Sequence, residues 1–193
     1  MKVDKETLIC QKLIDMMETT SFFDIKVKDF VEFAGISRST FYLYFDSLYD
    51  VLQKIEDDFL DGMFSESVTV QTVKTRQMEK PNAHFAIKVE YIERNKRLFS
   101  ILLGPNGDPS FSARLVNRYK RIVTESWRGN QTIDQEHIEL LSEYVAAGQI
   151  QALKWWVSRE PDMDLSDVML TMERYLLALY SATEQAQGLP KGA

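Results

Sequence analysis

Between residues 38 and 44 the chain reads RSTFYLY, and this run concentrates side chains that can read DNA. Arg38 carries a planar fork of donors that matches guanine O6 and N7, and Ser39 and Thr40 add short hydroxyls. Tyr42 and Tyr44 bring phenolic donors able to reach phosphates, while Leu43 offers an apolar surface to a thymine methyl. On a helix that turns by roughly 100° per residue, Phe41 and Phe45 share an inward edge. Ser39 and Leu43 then lie opposite that edge, with Arg38 and Tyr42 on one flank and Thr40 and Tyr44 on the other. The same register admits plainer readings: tyrosines so close to phenylalanines can belong to a core, and Leu43 can be an ordinary surface or inter-helix contact.

Such a helix must be held at a fixed angle by its neighbours. Val27, Phe30, Val31 and Ala34 are spaced three and four apart, which predicts a preceding helix with one apolar face. Gly35 ends it, because glycine enters the left-handed backbone conformation at almost no steric cost, and Ile36 can plug the angle that follows. Ser37 is a good cap for the next helix. Two helices joined by a short turn containing glycine form the helix-turn-helix pattern, whose second helix enters the major groove. A helix carrying Leu8, Ile9, Leu13, Met16 and Met17 precedes this unit, and another from Ser47 to about Gly62 follows it.

At these residues the chain resembles the TetR family of bacterial transcription regulators. The resemblance rests on the turn Ala34-Gly35, the hydroxyl-rich start Ser37 to Thr40, and Tyr42 followed by Phe45. It implies base contacts from Lys28, Arg38 and Ser39 and phosphate contacts from Thr40, Tyr42 and Tyr44. The segments NGDPSF and YVAAGQIQALKWW look like a C-terminal type common in Gram-positive members. Three positions depart from the family pattern. Leu48 stands where a lysine is usual, Lys26 replaces a capping hydroxyl and adds a cation, and a turn glycine expected near Ser21 is absent.

Charge works against the DNA reading at long range. The 23 Lys and Arg face 29 Asp and Glu, a formal net charge of -6, so binding must come from a local patch rather than a strong field. Lys26, Lys28 and Arg38 are the cations nearest the groove face. With 193 residues, 45% of them hydrophobic, and only 5 Pro and 8 Gly, the chain predicts an all-α fold. We expect an N-terminal three-helix helix-turn-helix domain (1–55) and a C-terminal helical ligand-binding and dimerisation domain (56–193). No run of roughly 18 apolar residues could span a membrane and MKVDKETL holds no apolar signal region, which predicts a cytoplasmic protein with no membrane partner. The lone Cys10 falls on the apolar face of the first helix, as a small hydrophobe or, less simply, a redox-active thiol.

Residues 65 to 83 are polar and read as a connection, after which one long helix is expected from about Ala83 to Leu103. The turn formers of Gly104 to Pro109 must reverse the chain, and they lack the spacing of a phosphate-cradling loop. A helix from Ser110 to Trp127 follows, with a basic side that is either solvated or a second anion surface. From Asp134 to Arg159 two apolar stripes run along one helix, one through Ile138, Leu141, Val145, Gly148, Ala152 and Trp155 and the other through Ala146, Ile150, Leu153 and Val157. Asp164 can cap a last helix carrying Met172, Tyr175 and Leu179. Two stripes suit packing on the chain's own domain and on a second copy, giving a four-helix homodimer interface, although a single monomer core could also use both.

An aromatic set, Phe85, Tyr91, Phe99, Phe111, Tyr119 and Trp127, could line a pocket for a small-molecule effector, or simply fill a core. His84 and His137 are far apart and no metal-ligand or catalytic spacing occurs, so neither enzyme activity, nor a metal, nor a cofactor is expected. The sequence therefore points to a ligand-responsive repressor that binds a palindromic operator in double-stranded DNA as a homodimer. A co-regulator acting through protein contacts, with weak or no operator binding, is the alternative that Leu48 and the acidic charge permit.

Overall fold

The computed structural model describes residues 4–64, 83–127, 133–159 and 162–187, and these are helical throughout apart from turns. In order they form α1 (Lys5–Met17), α2 (Val27–Ala34), α3 (Arg38–Tyr44), α4 (Leu48–Met63), α5 (Ala83–Arg94), α6 (Lys96–Leu103), α7 (Pro109–Trp127), α8 (Gln135–Arg159) and α9 (Leu165–Gln187). A short 3-10 turn, Phe22–Asp24, links α1 to α2. The chain divides into two compact units, Met1–Met63 with Asn95–Ser112, and Phe64–Arg94 with Ala113–Ala193. The polar stretch expected as a connection and the Gly188-Leu189-Pro190 end lie outside the described residues.

In the first unit α1 packs on α2, α4 and α6, and α2 packs on α3. Ile9, Leu13 and Met17 of α1, Phe30 of α2, Phe41 of α3 and Val51, Leu52 and Phe59 of α4 are all nearly or fully buried. Phe59 stacks on Phe99 at 5.2 Å between ring centres and meets Phe111 edge-on at 6.1 Å. Leu8 and Met16, expected on the apolar face of α1, are only half-buried. Cys10 is also half-buried, and burial pushes its thiol up to about 11, which keeps it protonated and unreactive at neutral pH.

The single helix expected over residues 83–103 is instead two. Asn95 sits at φ -104 and ψ 15, and its carbonyl accepts from the Phe99 N–H at 2.8 Å to start α6. Asparagine favours such a break because its short amide competes with helical backbone bonding. In the second unit α9 packs on α8 and α5. Val123, Ile133, Ile138, Leu141 and Val145 form its core, with Tyr119, Leu176 and Leu179 packed partly against them. Asp134 and Asp164 cap α8 and α9, accepting from the His137 and Asp167 N–H groups at 3.0 and 2.8 Å.

Candidate nucleic-acid interface and dimer face

The turn that sets α3 closes with two bonds. The Gly35 N–H donates to the Glu32 carbonyl at 3.2 Å and the Ile36 N–H to the Val31 carbonyl at 3.0 Å, the paired arrangement that ends a helix in a left-handed residue. Gly35 has φ 66 and ψ 35, and a Cβ there would meet nothing within 4 Å, so conformation rather than space requires the glycine. Ser37 then starts α3, its hydroxyl accepting from the Thr40 N–H at 3.0 Å and lying 2.8 Å from Ser39 Oγ and 2.7 Å from Thr40 Oγ1.

The face derived from helical geometry is the face observed. Phe41 is fully buried and meets Phe30 edge-on at 5.8 Å, and Phe45 is buried beside it. Arg38, Ser39, Tyr42, Leu43 and Tyr44 are exposed and Thr40 is half-buried. Leu43 is 76% exposed, the most open large apolar side chain among the described residues. Neither tyrosine is core, although Tyr42 rests edge-on against Phe41. Lys26 and Lys28 are exposed at the start of α2, and the Lys26 side chain caps nothing. Leu48, at the usual lysine position, is buried, while Ser47 before it caps α4 by accepting from the Asp50 N–H at 3.2 Å.

The loop after α6, which the sequence reading took only as a chain reversal, grips the start of this unit. Asn106 Nδ2 donates to the Met17 and Glu18 carbonyls at 2.9 and 3.2 Å, satisfying the end of α1, and the Phe22 N–H donates to the Asn106 carbonyl at 2.9 Å. Arg97 on α6 pairs with Asp15 at 2.9 Å and with Glu18, and its guanidinium holds both carboxyls below the usual range. The buried Asp108 carboxylate accepts from the Ser110 N–H and Oγ at 2.8 and 2.7 Å. A Cβ on Gly107 would collide with the Leu102 carbonyl, so glycine is needed there for close approach. The density of Asn, Gly and Asp was the available signal, but its partners lie about 90 residues away and no local pattern names them.

In the second unit a groove of about 580 Å³ runs between α8 and α9. Six of the seven side chains expected at a dimer face line it: Val145, Gly148, Ala152, Met172, Tyr175 and Leu179. Trp155, the seventh, is exposed on α8, whereas Trp156 is buried and donates from Nε1 to the Met163 carbonyl at 3.0 Å. The stripe through Ala146, Ile150, Leu153 and Val157 is buried within the unit, as are Ile138, Leu141 and Val145 at the start of the other stripe. Exposed Leu140 and Tyr144 extend the outward face toward the start of α8, and the sequence reading missed both.

The six aromatics proposed as a pocket are distributed over both units. Phe99 and Phe111 are fully buried against Phe59 in the first unit, whereas Tyr91 and Tyr119 belong to the second. The side chains of Phe85 and Trp127, and of His84, lie outside the described residues. Tyr119 donates to Gln149 Oε1, which joins α7 to the groove wall. His137 is exposed with Nδ1 2.8 Å from Asp134 Oδ1, a capping arrangement. Among the described residues no helix is long and apolar enough to cross a membrane.

Known proteins share both parts of this architecture. EthR, an HTH-type transcriptional regulator of Mycolicibacterium smegmatis, is 40% identical over 68 residues, which cover 34% of this chain and 31% of EthR. The chain thus spans less than a third of the curated relative it matches. Among solved structures, the dihydroxyacetone kinase operon activator DhaS superposes with a TM-score of 0.63 at 16% identity, over 92% of this chain and 97% of that one. A TetR transcriptional regulator from Streptococcus agalactiae 2603V does so with a TM-score of 0.63 at 21% identity, over 90% and 92%. Residues 79–177, just over half of the sequence, match a TetR C-terminal family model described as "Transcriptional regulator C-terminal region". With a helix-turn-helix unit ahead of that region, the chain belongs to the TetR family of transcriptional regulators.

Proposed function

We propose that the protein is a sequence-specific DNA-binding repressor that acts in the cytoplasm as a homodimer on a palindromic operator and responds to a small-molecule effector. Residues 1–55 read DNA and residues 56–193 carry regulation and dimerisation. One observation carries the reading: Arg38, Ser39, Tyr42, Leu43 and Tyr44 stand exposed on α3 above a fully buried Phe41. Water gives no reason to display a leucine between two tyrosines, whereas a major groove offers methyls, base edges and phosphates to all of them. Arg38, Ser39 and Lys28 contact bases, Leu43 meets a thymine methyl, and Thr40, Tyr42, Tyr44 and Lys26 hold the backbone.

The groove between α8 and α9, with Tyr144 and Tyr175 exposed along it, supports a homodimer in which a second copy completes a four-helix bundle. Two-fold symmetry then requires an operator of two inverted half-sites. The effector site draws on Tyr91 and Tyr119 in the second unit, with Phe85 and Trp127. Phe99 and Phe111, already packed on Phe59, are left out of it. No catalytic role and no cofactor is proposed.

Selection from a random duplex pool at low salt tests this reading, and we expect enrichment of a palindrome; a pool without one sinks it. The buried Leu48 and the net charge of -6 favour a second reading, a co-regulator that acts through protein contacts with weak or no operator binding. A pool that enriches nothing, together with capture of a defined protein partner by the intact dimer, would select it. One fold neighbour is an operon activator, so a promoter fusion with and without the protein reads the direction of regulation.

A further inference from the structure

Lys88, on α5 in the second unit, stands among rings rather than carboxylates. Its ammonium lies 5.0 Å from the ring centre of Tyr119 and 5.9 Å from that of Phe64. Those two rings are 6.2 Å apart and inclined at 32°, so they form a tilted apolar wall along the side chain. Tyr119 comes from α7 and is fixed by its hydrogen bond to Gln149 on α8. Glu173, on α9, supplies the nearby negative charge. It is not within ion-pair distance, and the three ammonium N–H groups find no hydrogen-bond acceptor among the described residues.

Ring faces replace only part of the water that a half-buried ammonium gives up, so its N–H groups still favour an incoming oxygen acceptor, an anionic one most of all. Burial pushes the Lys88 ammonium down to about 8 and the Glu173 carboxyl up. Each charge offsets part of the other's burial, without the close contact of an ion pair. An incoming carboxylate would satisfy Lys88 and leave Glu173 free to take a proton, so the local charge stays balanced.

We propose that Lys88 anchors the carboxylate of an amphipathic organic acid, whose apolar part lies along Phe64 and Tyr119 and which replaces Glu173 as the ammonium's counter-charge. This rests on the ligand-responsive reading above and names the effector class for it. The site also has a route to the rest of its unit. Lys88 and Glu173 connect α5 to α9, and Tyr119 and Gln149 connect α7 to α8, so occupancy acts on both helices that line the groove.

Calorimetry and thermal unfolding of the full-length protein with decanoate, decanamide and decyltrimethylammonium test the assignment. We expect decanoate to bind and raise the unfolding midpoint, the amide to bind more weakly, and the cation not to bind. Lys88→Met, which keeps the apolar stem, should weaken decanoate by about 10- to 100-fold, the range of a charge-assisted hydrogen bond, and Lys88→Arg should restore most of it. Unchanged decanoate binding by a folded Lys88→Met protein overturns the proposal, as does preference for the cation or failure of decanoate to bind the wild type. Decanoate bound through Lys88 without a change in affinity for the selected duplex keeps the site and overturns only the ligand-responsive reading. A duplex released by some other compound, with decanoate inert, overturns the site and leaves that reading standing.

Discussion

Helix α3 and helix α8 both display aromatic and aliphatic side chains to solvent above a buried row, yet they do so in different company. On α3 the exposed Tyr42, Leu43 and Tyr44 are interleaved with Arg38 and the hydroxyls of Ser37, Ser39 and Thr40. On α8 Leu140, Tyr144 and Trp155 are exposed, and Tyr144 lines a groove together with Val145, Ala152, Met172 and Leu179. The first surface suits a wet, anionic groove with scattered methyls, the second a dry helix. The two glycines sharpen the contrast. Gly35 is required by its own backbone, φ 66, whereas Gly148 sits in mid-helix with nothing within 4 Å of an added Cβ. Glycine inside a helix costs roughly 1 kcal/mol relative to alanine, and nothing among the described residues close to Gly148 calls for that cost.

Four substitutions break or sharpen that comparison. The largest effect is expected from Phe41→Ala, which removes the fully buried anchor of α3 and should cost about 3–5 kcal/mol in urea unfolding. Sedimentation should still report a dimer, and loss of the dimer would show that the two surfaces are not separable. Arg38→Ala should cost about 1–3 kcal/mol per half-site in binding the selected duplex and relax preference at one base pair, with the unfolding midpoint unchanged. Equal losses on every duplex would reassign Arg38 to the phosphates.

Gly148→Phe fills the groove wall and should weaken the dimer by about 1–3 kcal/mol, measured by dilution in the ultracentrifuge. Undiminished association would move the dimer contact elsewhere. The smallest effect concerns Arg97. Asp15 and Glu18 have depressed folded values, so their contribution to stability is full above the ordinary carboxylate range and is lost as pH falls through those values. The difference in unfolding midpoint between wild type and Arg97→Gln should therefore shrink on acidification from neutral pH, and a constant gap would assign the role of Arg97 to packing alone.

What the sequence could reveal depended on how local the determinant was. Gly35, Ser37 and the Phe41/Phe45 edge act within a few residues, and their periodicity placed α2, α3 and the exposed side of α3. The break at Asn95 escaped because the apolar residues on either side continue the helical spacing and one asparagine is weak evidence against it. The aromatic set divided between the units for a different reason. Composition marks Phe99, Phe111 and Tyr119 alike, and only the tertiary packing sends the first two to Phe59 and the third to Gln149. Leu140 and Tyr144 were overlooked because a helix apolar on several sides has no single stripe to follow.

Asn106 has a consequence for the order in which the molecule is made. The Met17 and Glu18 carbonyls and the Phe22 amide find their partners only in a loop that leaves the ribosome long after the three N-terminal helices. Contacts of such wide sequence separation form late, since the intervening chain must first be closed into a loop. The reading head of a nascent chain is therefore unfinished until residue 106 arrives, and a fragment ending at residue 63 lacks the clip that ends α1.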